Sequence, residues 1–225
     1  MRSFFITIEG MDGSGKSTII PELAERLEKT YSGQNVVATK EPGGTTIGDD
    51  IRKILLNVKN NKIDIRTEVL LFAASRRQHV VEKIIPTLKS GGIVISDRFL
   101  DSSIVYQGAG RGIGMQDVAE LNEFAVEGLR PDITLYLKIN PVEGLKRIKT
   151  NRKDDIDRMD REQQNFYFRV SHAYNQVIEK DSERFVIVNA DQPIERVVDE
   201  AWDKLVNRMN TIEKNIGICG GNHEL

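Results

Sequence analysis

A glycine-rich segment near the start of the chain is suited to holding the phosphates of a nucleotide. Residues 10–17 (GMDGSGKS) match the pattern G-x-x-x-x-G-K-[ST], with an apolar run before them and an apolar-periodic stretch after them. Glycines let successive backbone N–H groups converge on phosphate oxygens at the start of a helix. Lys16 would then reach the β- and γ-phosphates, and the Ser17 hydroxyl would ligate Mg²⁺. The predicted nucleotide-binding residues are Gly10, Asp12, Gly13, Ser14, Gly15, Lys16, Ser17 and Thr18.

An acidic and a basic residue follow the predicted strand at 93–96. Asp97 can organise the shell of a Mg²⁺ ion, so Ser17 and Asp97 are the predicted metal ligands. Arg98 would stand at the carboxyl edge of the sheet, where ligands of open α/β folds bind. A kinase needs cations between two phosphorylated substrates, although an Asp–Arg ion pair that only closes a loop is the alternative interpretation.

A GTP-dependent switch is the competing class of nucleotide-binding protein. Residues 61–64 (NKID) match the guanine-binding pattern N-K-x-D. The match lies in a polar loop before Asp97, however, and no D-x-x-G sequence follows any predicted strand. The order of motifs therefore favours a phosphotransferase, and tight GTP binding without phosphate transfer would identify a switch instead.

Strands and helices alternate along the chain in the order that places these motifs at one edge of a sheet. Short, nearly continuous apolar runs predict buried strands at 4–9, 36–39, 93–96, 133–137 and 185–188. Helices are predicted at 17–30, 47–57, 67–89, 115–128, 141–150, 162–180 and 193–209. This alternation predicts an α/β fold with a five-stranded parallel sheet flanked by helices.

Composition narrows the class of protein further. The 225 residues are 39% hydrophobic and 29% charged, with a net charge of −2, so we expect one packed domain and no nucleic-acid partner. Cys219 is the only cysteine, and the three histidines lack metal-ligand spacing. The apolar run at the start is too short for a membrane span, which leads us to expect no membrane partner and a cytoplasmic location.

Four further segments occur in order along the chain: residues 41–44 (EPGG), 72–76 (FAASR), 97–99 (DRF) and 106–108 (YQG). With the phosphate-binding loop, they resemble the motifs of bacterial thymidylate kinases, a family of P-loop nucleoside monophosphate kinases. The resemblance covers nearly the whole chain. It implies a P-loop NTPase-type fold with a short helical lid, ATP as phosphoryl donor, Mg²⁺ as cofactor, dTMP as acceptor and a homodimer.

The resemblance also implies roles for individual positions in base and sugar recognition. Phe72 and Arg76 are four residues apart, so they share a helix face that could present a ring and a fork of donors. By resemblance, Phe72 stacks on thymine, Arg76 hydrogen-bonds the base, Tyr106 excludes a ribose 2′-hydroxyl and Asp12 approaches the 3′-hydroxyl. The implied substrate-binding set is Asp12, Glu41, Arg52, Phe72, Arg76, Arg98, Ser103, Tyr106 and Gln107.

Phosphate handling is expected to depend on arginines from more than one segment. Some relatives carry an arginine at the position of Gly13, and those that lack it supply one from the lid, here residues 147–162. Arg147, Arg152 and Arg158 are the candidates, and Arg158 best matches the lid pattern. The implied catalytic set is Lys16, Arg52, Arg98, Arg152 and Arg158.

Two positions depart from the resemblance, and two segments are less defined. Lys40 replaces the usual arginine before residues 41–44, and Phe99 replaces the usual tyrosine. The loop 189–193 is the implied adenine site, although a plain strand-to-helix turn is equally compatible. We expect one kinase domain over residues 1–214, a disordered tail over 215–225, and phosphorylation of dTMP, with another pyrimidine monophosphate or a deoxynucleoside as alternative acceptors.

Overall fold

The computed structural model describes residues 2–151, 158, 159, 162 and 164–220 of the chain. The strands are β1 (Phe4–Gly10), β2 (Val36–Lys40), β3 (Ile93–Asp97), β4 (Ile133–Lys138) and β5 (Phe185–Asn189). The helices are α1 (Lys16–Thr30), α2 (Thr46–Leu56), α3 (Ile65–His79), α4 (Ile85–Lys89), α5 (Leu100–Ser103), α6 (Met115–Val126), α7 (Pro141–Asn151), α8 (Gln164–Lys180) and α9 (Ile194–Gly220). Single π-helical turns, Val80–Ile84 and Ile104–Gly110, follow α3 and α5.

The strands form one five-stranded parallel sheet in the order β2-β3-β1-β4-β5, so the predicted fold class is confirmed. Ile6 of β1 pairs with Ile95 of β3 on one side and with Ile133 of β4 on the other. The chain leaves β1 in the middle of the sheet and returns to β3 through β2 at the edge. This reversal puts the carboxyl ends of β1 and β3 at the point where open α/β sheets bind ligands.

Strand β1 is buried along its whole length, which explains its nearly continuous apolar sequence. Phe4, Ile6 and Ile8 belong to the larger core, while Phe5 faces a second, smaller core on the opposite side of the sheet. This alternation follows from the two-residue period of a strand. Phe99 lies in the smaller core, with its ring edge-on to Phe5 at 4.9 Å between centroids, so the missing hydroxyl leaves no polar atom to satisfy there.

Helix boundaries explain the chance match to the guanine signature. Asp64 is the N-cap of α3, and its side chain accepts hydrogen bonds from the backbone N–H groups of Arg66 and Thr67. An Asp followed by a helix is a common capping arrangement. The acidic residue of the N-K-x-D match is therefore used to begin a helix.

Several elements differ in extent from the sequence prediction. The segment Leu100–Gly110, which the sequence analysis did not assign to a helix, is helical and carries Ser103, Tyr106 and Gln107. Helix α9 continues past the predicted end at residue 209 to Gly220, because residues 210–216 (NTIEKNI) contain neither Gly nor Pro. The expected disordered tail at 215–225 is thus helical as far as 220, and its last residues lie outside the described part. Across the described ranges, every helix falls short of the length or apolar character needed to cross a membrane.

Candidate active site

A cavity of about 580 Å³ opens at the carboxyl ends of β1, β2 and β3. Most of the side chains predicted from the sequence meet in its wall. These are Asp12, Gly13, Gly15, Lys16, Ser17, Thr18, Glu41, Arg52, Phe72, Arg76, Asp97, Arg98, Ser103, Tyr106 and Gln107. Gly10, Ser14 and Arg158 are outside the wall, and Arg152 falls outside the described residues.

The loop between β1 and α1 curls tightly enough to expose backbone N–H groups. Gly13 and Gly15 have φ angles of 78° and 94°, in the left-handed region that favours glycine. Gly13 also lies against the first turn of α7, where a Cβ atom would come within 2.4 Å of the Gly144 carbonyl oxygen. The start of α7 is therefore packed directly on the glycine-rich loop.

Lys16 holds this loop together from the inside. Its ammonium donates to the carbonyl oxygens of Gly10 and Met11, both at 2.9 Å. Burial and the neighbouring Arg98 charge lower the pKa of Lys16 to about 8. A polyphosphate in the cavity would add negative charge beside the ammonium. This charge would stabilise the protonated form of Lys16.

Asp12, Arg98 and Tyr106 form a second polar cluster at the mouth of the loop. Arg98 donates to Asp12 Oδ1 at 2.6 Å, and the Tyr106 hydroxyl donates to Asp12 Oδ2 at 2.9 Å. Arg98 also donates to the carbonyl oxygen of Gly10 and to Ser102 Oγ. Its φ of 71° is unusual for a non-glycine residue. Such a conformation persists only where neighbouring contacts hold it, and here those contacts aim a guanidinium into the cavity.

Glu9 supplies part of that support, although the sequence analysis did not single it out. The carboxylate is fully buried and accepts from the Phe99 N–H at 2.8 Å, from Ser102 Oγ at 2.6 Å and from Tyr174 Oη at 2.8 Å. Burial and the nearby Asp101 raise the pKa of Glu9. The sequence does contain a signal for Glu9. A glutamate at the end of the apolar β1 run would be buried, and a buried carboxylate requires hydrogen-bond partners.

Asp97 is the residue best placed to hold a metal ion. Its Oδ1 atom is buried and has no hydrogen-bond partner among the described residues, which leaves an acceptor oxygen at the carboxyl end of β3. Ser17, exposed at the start of α1, lines the same cavity. A hard divalent cation prefers such oxygen ligands and completes its shell with phosphate oxygens and water. The donor set therefore fits Mg²⁺.

Arg76 is almost completely buried and is held by four partners. Nε donates to Glu41 Oε2 at 2.7 Å, and Nη2 donates to Ser103 Oγ at 3.0 Å and to the carbonyl oxygen of Phe99 at 3.1 Å. Nη1 donates to Asn122 of α6. Such a network fixes the plane of the guanidinium in the cavity wall. The sequence analysis missed Asn122, whose contribution depends on the packing of α6 against α3.

Glu41 is itself fixed from behind by a buried histidine. His79 Nδ1 is 2.9 Å from Glu41 Oε1, and His79 Nε2 is 2.8 Å from Thr39 Oγ1. The Thr39 and Glu41 positions flank Lys40 at the end of β2. His79 was not predicted although it follows the 72–76 motif by three residues, because nothing in the local sequence indicates its contact with Glu41, 38 positions away.

Gln107 connects the cavity to a further set of charged residues. Its Nε2 donates to Glu68 Oε1 at 3.0 Å, and Glu68 also accepts from Arg111. Neither Glu68 nor Arg111 was predicted. No motif marked them, since their importance arises only from contact between α3 and the turn after α5.

The predicted lid arginines occupy two different positions. Arg158 Nε donates to the Leu55 carbonyl oxygen at 2.8 Å, and Nη2 forms an ion pair with Glu68 Oε2 at 2.6 Å. Arg147, on α7, lines the cavity and donates to the Ala190 carbonyl oxygen at 3.1 Å. Arg52 lines the cavity as well, with Nη1 donating to the Pro42 carbonyl oxygen at 2.9 Å.

A second, open cavity of about 640 Å³ adjoins α7 and the loop after β5. Its wall includes Asn140, Arg147, Asp191, Gln192 and Pro193. Arg147 lines both cavities, so they are neighbours at this residue. The predicted adenine loop, 189–193, thus supplies part of a concave surface beside the glycine-rich loop.

Comparisons with known proteins agree with this geometry. Residues 8–201 match the family model described as Thymidylate kinase. A curated thymidylate kinase of Ligilactobacillus salivarius is 46% identical over 209 residues, covering 93% of this chain and 100% of the relative. One of Enterococcus faecalis is 46% identical over 208 residues, covering 92% and 98%. The crystal structure of thymidylate kinase from Ehrlichia chaffeensis superposes with a TM-score of 0.74 at 35% identity, covering 91% of this chain and 99% of that one.

Proposed function

The chain belongs to the thymidylate kinase family of ATP-dependent nucleoside monophosphate kinases, and from this premise we propose which of its residues transfer the γ-phosphoryl group of ATP to dTMP. The observation that carries the proposal is that a phosphate-binding loop and the side chains suited to a nucleobase line one cavity. Donor and acceptor phosphates would meet between Lys16 and Arg98.

On the donor side, the backbone of residues 10–15, Lys16 and Thr18 bind the ATP phosphates. Ser17 and Asp97 would hold Mg²⁺, which neutralises charge on the β- and γ-phosphates when bound. The buried, unpartnered Oδ1 of Asp97 supports this assignment. The adenine would lie along the loop after β5, beside Arg147.

On the acceptor side, the phosphate of dTMP attacks the γ-phosphorus as the bond to the β-phosphate oxygen breaks. A phosphate monoester has a second pKa of about 6, so the attacking oxygen is mostly deprotonated at neutral pH and needs no general base. The obstacle is repulsion between two polyanions. Arg98 and Arg52 would hold the acceptor phosphate, and catalysis consists of positioning and electrostatic stabilisation.

The nucleobase and sugar would occupy the other half of the cavity. Phe72 offers a ring face, Arg76 and Gln107 offer hydrogen bonds to the base edge, and Ser103 holds the Arg76 guanidinium. The Tyr106–Asp12 pair would meet the sugar, with Tyr106 excluding a 2′-hydroxyl and Asp12 facing the 3′-hydroxyl. Glu41 would contribute indirectly, because its carboxylate holds the Arg76 guanidinium in place.

Arg158 is the lid arginine that we propose to contact the transferred phosphoryl group. In the arrangement described, its guanidinium contacts Glu68, so it has to leave Glu68 to reach a phosphate. Arg147 already lines the cavity and is proposed to contact ATP. Arg152 retains its predicted catalytic role.

A homodimer and a cytoplasmic location complete the proposal. Five large apolar side chains are exposed on the adjacent helices α2, α3 and α6: Ile47, Ile54, Ile65, Leu70 and Phe124, the last with 84% of its surface accessible. A second copy that covers them would remove a large apolar patch from water. Phe124→Glu should then shift the sedimentation profile from dimer to monomer, whereas Phe168→Glu, on the exposed face of α8, should leave it unchanged.

A coupled assay of ADP release tests the activity directly. The acceptors are dTMP, dUMP, UMP, dCMP, AMP and thymidine, with Mg·ATP as donor. Strong turnover with dTMP and weaker turnover with dUMP is expected. Preference for thymidine would require a different acceptor mechanism, and preference for another monophosphate would discard the assignment of the base-binding residues.

A further inference from the structure

Glu68 lies behind the part of the cavity wall that is proposed to face the nucleobase. It is a buried residue of α3 with 1% of its surface exposed, and it does not line the cavity. Among the described residues, the neutral side chain that bonds to its carboxylate is Gln107, whose Nε2 donates to Glu68 Oε1 at 3.0 Å. Gln107 does line the cavity, so Glu68 is connected to the proposed base site through this amide.

Two arginines keep the Glu68 carboxylate charged. Arg111 donates from Nε to Oε1 at 3.1 Å and from Nη2 to Oε2 at 3.2 Å, and Arg158 lies 2.6 Å from Oε2. Burial on its own would raise the pKa of Glu68, but the hydrogen bonds and charge of Arg111, together with Gln107 and Arg158, outweigh burial and lower it. Glu68 is therefore ionised at neutral pH.

An ionised carboxylate accepts hydrogen bonds and cannot donate them. The amide of Gln107 must consequently turn its NH₂ group toward Glu68, which leaves its carbonyl oxygen for a ligand. Among the described residues, no donor forms a hydrogen bond with this oxygen. The charge of Glu68, rather than Gln107 alone, decides that the cavity offers an acceptor at this point.

We propose that Glu68 is a positioning residue for base specificity, which selects acceptors carrying a ring N–H over those with a bare ring nitrogen by fixing the amide of Gln107. Thymine and uracil present N3–H as a donor, whereas cytosine presents N3 as an acceptor and would meet the carbonyl oxygen with a lone pair. The inference rests on the proposed placement of the base beside Gln107.

The other base-facing group can be separated from this effect. Arg76 is held by Glu41, Asn122, Ser103 and the Phe99 carbonyl, and none of these hydrogen bonds involves Glu68. A change at Glu68 should therefore release the Gln107 amide while leaving the Arg76 guanidinium in place. Selectivity supplied by Arg76 should persist.

The test compares kcat/KM for dTMP and for 5-methyl-dCMP, which differ only at the ring nitrogen and the neighbouring exocyclic group. The proteins are the full chain, Glu68→Gln, Gln107→Ala and the double variant. Loss of one oriented hydrogen bond should lower the dTMP to 5-methyl-dCMP ratio by about tenfold in Glu68→Gln. Gln107→Ala should lower it similarly, and the double variant should show no further loss, because Glu68 acts through Gln107.

Several results would overturn the inference. An unchanged ratio in Glu68→Gln together with a reduced ratio in Gln107→Ala rejects the role of Glu68 and leaves the base site intact. Equal loss of activity on both substrates in Glu68→Gln rejects a role in base selection and points instead to structure or to the ion pair with Arg158. An unchanged ratio in Gln107→Ala rejects the proposed base site itself, whatever Glu68 does.

A second variant, Arg111→Gln, tests the same inference if Glu68→Gln does not fold. Arg111→Gln keeps Glu68 but removes the two hydrogen bonds that favour its charged form. The ratio should fall in the same direction by a smaller factor. A ratio equal to that of the unmodified chain in a folded Arg111→Gln protein would count against the inference.

Discussion

Arg98 Nη2 donates to Asp12 Oδ1 at 2.6 Å, so a proposed phosphate ligand and a proposed sugar ligand are paired with each other. The carboxylate holds the guanidinium at the edge of the cavity, and the guanidinium in turn fixes the carboxylate that is proposed to face the sugar. Binding of dTMP would exchange part of this pair for contacts with the substrate. If the proposed roles are right, contact of one side chain with the substrate alters the position of the other.

Arg98→Lys should show whether the forked guanidinium matters beyond its charge. A lysine ammonium cannot contact Asp12, Ser102 and the Gly10 carbonyl oxygen in one fixed plane. We expect kcat/KM for dTMP to fall by about 10- to 100-fold, as for loss of a charged hydrogen bond. Arg130→Lys, at an exposed ion pair with Glu123, is the matched control and should keep full activity. An unchanged kcat/KM for dTMP in Arg98→Lys would show that only the positive charge at position 98 is required.

The pH dependence of kcat/KM for ATP should follow the deprotonation of Lys16. Its pKa of about 8 in the substrate-free protein means that the ammonium is lost as pH rises through this value. Because only the charged form attracts phosphate, kcat/KM for ATP should fall above this pH. Bound ATP favours the charged form of Lys16, so kcat should begin to fall at a higher pH than kcat/KM does. Superimposable pH profiles for the two parameters would contradict this, and Lys16→Ala should nearly abolish transfer at every pH.

Asp97→Asn tests the metal assignment with almost no change in shape. The amide keeps one oxygen but loses the charge that attracts a divalent cation. The Mg²⁺ concentration for half-maximal activity should rise by about tenfold or more. Asp64→Asn is the control, since Asn caps a helix as well as Asp does and Asp64 is the α3 cap. An unaltered Mg²⁺ titration for Asp97→Asn would remove this residue from the metal site.

Arg158→Ala and Arg147→Ala should affect different kinetic parameters. If Arg158 leaves Glu68 to stabilise the transferred phosphoryl group, its removal should lower kcat by about 10³-fold or more, far beyond any rise in KM for dTMP. Arg147→Ala should mainly raise KM for ATP, because Arg147 lines both the phosphate cavity and the adjoining one. A pure KM effect in Arg158→Ala would reject its transition-state role.

Tyr106→Ala should relax the exclusion of ribonucleotides. The ring lies 4.9 Å from the Arg98 guanidinium, and the hydroxyl is bound to Asp12, so the side chain has little freedom to move aside for a 2′-hydroxyl. The ratio of kcat/KM for dTMP to that for ribothymidine monophosphate should fall. Tyr106→Phe keeps the ring and should retain most of the discrimination. Unchanged selectivity in Tyr106→Ala would take this residue out of the sugar site.

The parts of the molecule that were predictable from sequence are those encoded by local patterns. A continuous apolar run such as residues 4–8 predicts a buried strand, and the glycine and lysine spacing of residues 10–17 predicts the loop that follows. Glu68, Asn122 and His79 could not be found in this way. Each matters through a partner more than thirty residues away, Gln107, Arg76 and Glu41 respectively, and no local period or motif encodes such pairings.

The close approach of Gly13 and Gly144 has a consequence for the order in which mutations can accumulate. Any side chain at position 13 would bring its Cβ within 2.4 Å of the Gly144 carbonyl oxygen, and one at position 144 would come within 2.9 Å of the Asp12 carbonyl oxygen. A side chain such as arginine at position 13 therefore requires the backbone at the start of α7 to shift. A change that moves the start of α7 away from the loop would have to come before, or together with, any substitution of Gly13.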